Sequence, residues 1–185
     1  LLFNAQELLV PFLKKVLENN IEVNFHTPNA LNARFLTKDL ADLMIRAGFR
    51  TFYLGFESAS TRWQEKTGNK VLSEELADAV VNLKTAGADP HQITVYQILG
   101  HPYMDIQQLA ESMHFVNSLG IRGMLADFSP IPGTPDGDYC SRWVDMTEPL
   151  LQNNTAFPII TLGFDESNRL KDLQRKLNKA LPIRK

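Results

Sequence analysis

Four stretches of the chain repeat apolar residues at intervals of three and four, the spacing that lines one side of an α-helix. The first holds Leu9, Phe12, Leu13, Val16 and Leu17, and the second Leu40, Leu43 and Met44. The third holds Leu76, Val80 and Leu83, and the fourth Ile106, Leu109, Met113 and Val116. Thr37, Ser73 and Asp105 open the last three stripes, where a side-chain oxygen accepts a bond from an otherwise unpaired first-turn amide. Asn20, Gly48, Gly87 and Gly120 stand just past the four stripes, where a left-handed residue closes a helix at little steric cost. After each stop comes a β-type run: "IEVNFHT", "TFYLGFE", "ITVYQILG" and "GMLADFS". The recurrence predicts parallel strands joined by crossover helices, in a barrel or an open doubly wound sheet. Strands rich in Val, Ile, Phe and Tyr suit a sheet covered on both faces.

The rhythm ends near residue 131. "PIPGTPDGD" is a turn-rich loop, because Pro fixes φ while Gly and Asp tolerate tight turns. Beyond it a helix is predicted over 139–152, "FPIITLGF" reads as a further strand, and 166–181 reads as a helix striped with Leu170, Leu173, Leu177 and Leu181. Arg169, Lys171, Arg175, Lys176 and Lys179 cover the other faces of that helix and read as a solvated surface, not a nucleic-acid contact. The expected division is an α/β portion over 1–136 and an extension over 137–185 that ends in the amphipathic helix.

Composition narrows the class. The chain has 185 residues, 44% hydrophobic, enough for one ordinary core. A net charge of −2 gives no pull toward nucleic acid or an anionic membrane. No apolar run approaches the roughly 20 residues that span a bilayer, and "LLFNAQELLVPFLKK" lacks the marks of a signal peptide. A cytoplasmic protein is expected. The single cysteine, Cys140, excludes an internal disulfide framework and any thiolate metal cluster built from this chain alone. The opening "LLFN" falls in mid-pattern and suggests a fragment.

In parallel α/β folds the ligand site lies at the carboxyl ends of the strands. Those ends read "HTPN" (26–29), "ESAS" (57–60), "GHPY" (100–103) and "SPIPGTP" (129–135), each with hydrogen-bonding side chains or a Pro/Gly-shaped backbone. Alternation puts Tyr53, Gly55 and Glu57 on one face and Phe52, Leu54 and Phe56 on the other. Gly55 leaves room for a ligand or a second backbone beside Glu57, whose carboxylate suits sugar hydroxyls or an ammonium group. The plainer reading is that Glu57 caps the next segment or pairs with Arg62. His26 and His101 lack acidic or cysteine partners at metal-like spacing, and His101 reads best as bonded to its own loop. His91 and His114 read as surface or helix-packing residues, and Cys140 as an inert thiol. "GTPDG" lacks the helix start and Lys-Ser/Thr of a phosphate loop.

Taken in order, "FHTPNALNARFLTKDLADLMIRAGFRTFYLGFESAS", "VLSEELADAVVNLKTAGADPHQITVYQILGHPY" and "DFSPIPGTP" span about residues 20–135. Together they resemble the C-terminal part of a radical S-adenosylmethionine (SAM) core, of the kind that carries a cobalamin-binding domain upstream. The resemblance implies a partial (β/α) barrel of six strands. In the family a CxxxCxxC loop after the first strand holds a [4Fe–4S] cluster whose open iron chelates SAM, and reductive cleavage yields a 5′-deoxyadenosyl radical. The four strands seen here would be the third to sixth.

By that resemblance Glu57 and Ser58 contact the ribose hydroxyls or the carboxylate of SAM. Ile98 packs on the adenine, Gly100 lets backbone come close to it, and Ser129, Pro130 and Ile131 meet the adenine edge. His26, Thr27 and Asn29 face the substrate side, with His101 beside them. "YQILGHPY" departs from the family's GxIxGxxE, with Tyr96 and Tyr103 in place of the first Gly and the Glu. The cluster loop and the second-strand motif that holds the SAM amino group are absent from these residues. The resemblance thus implies a parent radical SAM enzyme using SAM and a [4Fe–4S] cluster, with cobalamin as an optional further cofactor, and this chain alone is expected to be inactive. Two other readings stand beside it: a non-catalytic α/β binding or scaffold module, and an unrelated phosphosugar-type barrel enzyme using Glu57 as acid/base. The last is weakened because, of the other strand ends, only Asp127 adds a carboxylate, two residues before the tip on the face of Ser129. An unclosed barrel leaves open edges. The first strand is therefore expected to be covered by a neighbouring chain or by the C-terminal segment, with "FPIITLGF" as the candidate stretch. The expected partners are the missing N-terminal half of the barrel and a second copy through the open edges.

Overall fold

The computed structural model describes residues 2–57 and 71–182. Its helices are α1 (Leu9–Glu18), α2 (Lys38–Arg46), α3 (Ser73–Thr85), α4 (Ile106–Ser118), α5 (Pro135–Cys140), α6 (Ala156–Leu162) and α7 (Phe164–Lys179). The strands β1 (Phe25–Asn32), β2 (Phe49–Glu57), β3 (Ile93–Leu99) and β4 (Arg122–Asp127) form one sheet in the order β1-β2-β3-β4. All three neighbour pairs are parallel, so the alternating pattern does give an α/β sheet of partial-barrel type with crossover helices.

The local signals explain most of the element ends. Asn20, Gly48, Gly87 and Gly120 all have positive φ, as the four stops require. Thr37 and Asp105 cap α2 and α4 by accepting from the amides of Leu40 (3.3 Å) and Gln108 (2.9 Å). Ser73 does not cap α3. It is the first helical residue, and the Leu72 amide is satisfied instead by the Glu75 carboxylate at 2.8 Å. Glu75 also takes the Arg34 guanidinium at 2.7 Å, tying the turn after β1 to α3. That bond, with the Leu72 amide, holds its carboxyl below the usual carboxylate range.

The core lies between the sheet and α1–α3. Phe52, Leu54 and Phe56 of β2 join Leu40 and Met44 of α2 and Leu76, Val80 and Leu83 of α3, all buried. A smaller cluster of Leu99, Leu109, Met113 and Leu170 anchors α7 beside α4, and a third gathers Cys140, Val144 and Phe157.

Three sequence expectations are corrected. β1 begins at Phe25, not Ile21, and continues through "HTPN", which lies inside the strand and not at its tip. A proline argues against strand continuation, but an edge strand tolerates it. The helix expected over 139–152 is only Pro135–Cys140, capped by Thr134, and the residues after Ser141 run in turns up to α6. "FPIITLGF" belongs to α6 and the start of α7, with Gly163 between them at φ 83°. A short apolar run cannot separate strand from helix by periodicity, and Asn153, accepting from the amides of Thr155 and Ala156 at 2.9 Å, starts a helix there.

Among the described residues the C-terminal segment does not cover β1. It serves the opposite edge, where α7 packs on β4. The Asn178 amide donates to the carbonyl of Gly123 (2.8 Å) and accepts from its N–H (3.0 Å). One side chain thus supplies both hydrogen bonds that a peptide of a fifth strand would make.

Candidate site at the carboxyl ends of the strands

The register sets one face of the sheet. Tyr53 and Gly55 lie beside Thr94 and Tyr96, and these beside Arg122 and Met124, with Ile98 next to Ala126. Away from the sheet's buried helical side, this face carries the half-buried Tyr53, Tyr96 and Ile98. Tyr53 and Tyr96 stack with ring centroids 5.2 Å apart. No sequence motif marks them as a pair. Only the register, which sets them diagonally on neighbouring strands, could have done so.

Glu57 ends β2 at φ 57°, a left-handed conformation uncommon outside glycine, just after a register slip opposite Gln97. It is half-buried. Ser58 and Arg62 lie outside the described residues. Beside Glu57, an added Cβ at Gly55 would come 3.3 Å from the Ala30 methyl, so the neighbour that approaches this glycine is β1. Gln97 is fully buried, and among the described residues its amide has no partner.

At the end of β3, Gly100 has φ 86° and the side open at its Cα is filled by α6: a Cβ there would meet Pro158 at 2.6 Å. The Thr161 hydroxyl sits 3.3 Å from the Gly100 carbonyl. His101 is buried, its Nδ1 accepting from the Tyr103 amide at 3.2 Å, with Nε2 3.5 Å from Asp136. That bond leaves Nδ1 bare and puts the proton of the neutral ring on Nε2, facing the carboxylate.

At the end of β4, the Ser129 hydroxyl donates to the Gln152 carbonyl at 2.6 Å, Pro130 is buried and Ile131 is exposed. Asp127 accepts from Lys171 of α7 at 2.9 Å, so its carboxylate serves helix docking. His26 and Asn29 are exposed on β1, His26 Nδ1 lying 3.1 Å from the Thr51 hydroxyl, while Thr27 is buried. The structure therefore brings Glu57, Ile98 and the β3 and β4 tips to one end of the sheet. It sets His26, Thr27 and Asn29 apart, along β1.

Among the described residues, no group of three or more His, Cys, Asp or Glu side chains could hold a metal ion. Cys140 does not fit a cluster ligand. It is fully buried beside Val144 and Phe157, and burial pushes its thiol up to about 11. Ellman's reagent at pH 8 should label the folded chain at least about a hundredfold more slowly than the urea-unfolded chain. Equal rates would show that the thiol is not held as described. Among the described residues no helix is long and apolar enough to cross a membrane.

One parallel sheet with crossover helices defines the α/β class, and comparison with known families narrows it. The sequence matches the Radical SAM superfamily over residues 2–116, and the chain belongs to that family. Membership implies SAM and a [4Fe–4S] cluster in full-length members. The match ends within α4, so the β4 tip with Ser129, Pro130 and Ile131 lies beyond it. No curated protein matches the chain.

Proposed function

We propose that this chain is the later part of a radical SAM core, carrying one wall of the SAM site and none of the cluster. The observation that carries the reading is the family match over residues 2–116, a span without a single cysteine. The residues present do not fit a [4Fe–4S] cluster, which needs three cysteines where this chain has one, and the chain alone is inactive. Residues 1–136 form the barrel portion and 137–185 the extension.

Within this reading the half-buried Glu57, with Ser58, contacts the ribose hydroxyls or the carboxylate of SAM. Ile98 offers the apolar surface for the adenine, and Ser129, Pro130 and Ile131 its edge. Contact at Gly100 requires Pro158 to shift, since both would claim the side that glycine leaves open. His26, Thr27 and Asn29 stand on the substrate side, and His101 holds the β3 loop against Asp136.

The missing part of the barrel docks at β1. A groove of about 830 Å³ runs there, lined by Phe3, Leu8, Phe12, Phe25 and residues 26–32. Phe3 and Leu8 are 80% and 71% exposed, the apolar surface that preceding βα units, or in their absence a second copy, would cover. Cobalamin stands as an optional cofactor of the parent, and the composition and the lack of a long apolar helix among the described residues support a cytoplasmic location.

Anaerobic cluster reconstitution of the full-length parent should give 5′-deoxyadenosine from SAM, and the 185-residue chain treated alike should give none. A parent whose upstream sequence lacks CxxxCxxC would favour the scaffold reading. Thermal stabilisation by phosphosugars and not by SAM would favour the acid/base barrel with Glu57.

A further inference from the structure

β1 does not run straight beside β2. Thr27 pairs with Phe52 and Leu31 with Leu54, so residues 28–30 cover a gap that Tyr53 alone covers on β2. The surplus lifts off the ladder as an arch. At its first foot the Thr27 hydroxyl donates to the Thr51 carbonyl and accepts from the Tyr53 amide, both at 3.1 Å, replacing main-chain ladder bonds. Beyond the arch, Asn32 accepts from the Arg34 amide at 3.1 Å. Ala30 leans on the bare Cα of Gly55.

The arch itself holds Pro28, which has no N–H to give. Its carbonyl accepts from the phenol of Tyr96 at 3.3 Å, a side chain of β3 reaching across β2. The stack on Tyr53 aims that phenol, with the two rings 22° from parallel. Burial raises the Tyr96 phenol above its usual range, so it stays a donor at neutral and mildly alkaline pH.

We propose that Tyr96 is a positioning residue: its hydroxyl latches the 28–30 arch across β2 and so sets where His26 and Asn29 stand. His26 directly precedes the Thr27 foot and Asn29 lies within the arch, both exposed. The latch stands on the contacts above. Its bearing on substrate rests on the proposed assignment of His26, Thr27 and Asn29 to the substrate side.

Tyr96→Phe in the 185-residue chain keeps the stack and removes the hydroxyl. Hydrogen exchange over residues 27–32 should rise about tenfold, the scale of one lost hydrogen bond, with α2 and α3 unchanged. The melting temperature should move by less than about 4 °C. In proton NMR, the His26 ring signal should shift while those of His91 and His114 stay. Tyr53→Phe, which also keeps the stack, should leave both readouts as they are. Unchanged exchange over 27–32 in Tyr96→Phe overturns the proposal. So does an equal rise across the helices with a lower melting temperature, which would make Tyr96 a plain packing residue. Neither readout needs SAM or substrate, so a failure of SAM binding would count against the cofactor assignment and leave the latch standing.

Discussion

Phe52→Ala should lower the stability of the chain by about 3–5 kcal/mol, the range for deleting a fully buried aromatic ring. Phe52 is 0% exposed on β2, an interior strand with partners on both sides. Its ring stacks on Phe49, 6.1 Å between centroids, and Phe49 continues to Phe25 at 5.1 Å. Removing it opens a void in the largest core cluster, where Leu54, Met44 and Leu76 are also sealed from water and have no room to collapse inward. Domains of this size are stable by only about 5–15 kcal/mol, so the loss takes a large share. Urea titration should show a lower midpoint with an unchanged slope. A loss under about 1 kcal/mol would mean the core does not depend on this ring.

Gly48→Ala should cost about 3 kcal/mol or more, from two sources that a control separates. Gly48 sits at φ 106°, where a side chain is strained. Its added Cβ would also fall 2.2 Å from the Val23 carbonyl oxygen, a main-chain atom that cannot rotate away. The glycine's own carbonyl accepts from Phe25 at 2.9 Å, so the displaced backbone is the entry to β1. Gly87 has nearly the same φ, 103°, and nothing within 4 Å of its Cβ position. Gly87→Ala should therefore show the strain alone, about 1–2 kcal/mol. Equal losses at the two sites would refute the clash.

The stops and the alternation were legible because both are local. A left-handed residue after an apolar stripe needs no knowledge of the partner element, and all four stops took positive φ. Alternation alone put Phe52, Leu54 and Phe56 on one face, and that face is the buried one. What failed depended on distant partners. The arch in β1 is visible only against β2, because its surplus is defined by register. Gly100 read as space for a ligand, and Pro158, nearly sixty residues on, fills it. Asp127 read as a rim carboxylate, and Lys171 of α7 engages it. In each case the sequence shows a residue able to admit or bind something, while the occupant is chosen by tertiary contact.

The Asn178 clamp makes the two edges of the sheet chemically unequal. With the N–H and the carbonyl of Gly123 already bonded, a strand arriving at β4 must first break that clamp, whereas among the described residues no such clamp stands at β1. A strand added to this sheet should therefore join at β1 before β4, so growth through strand edges has a preferred direction.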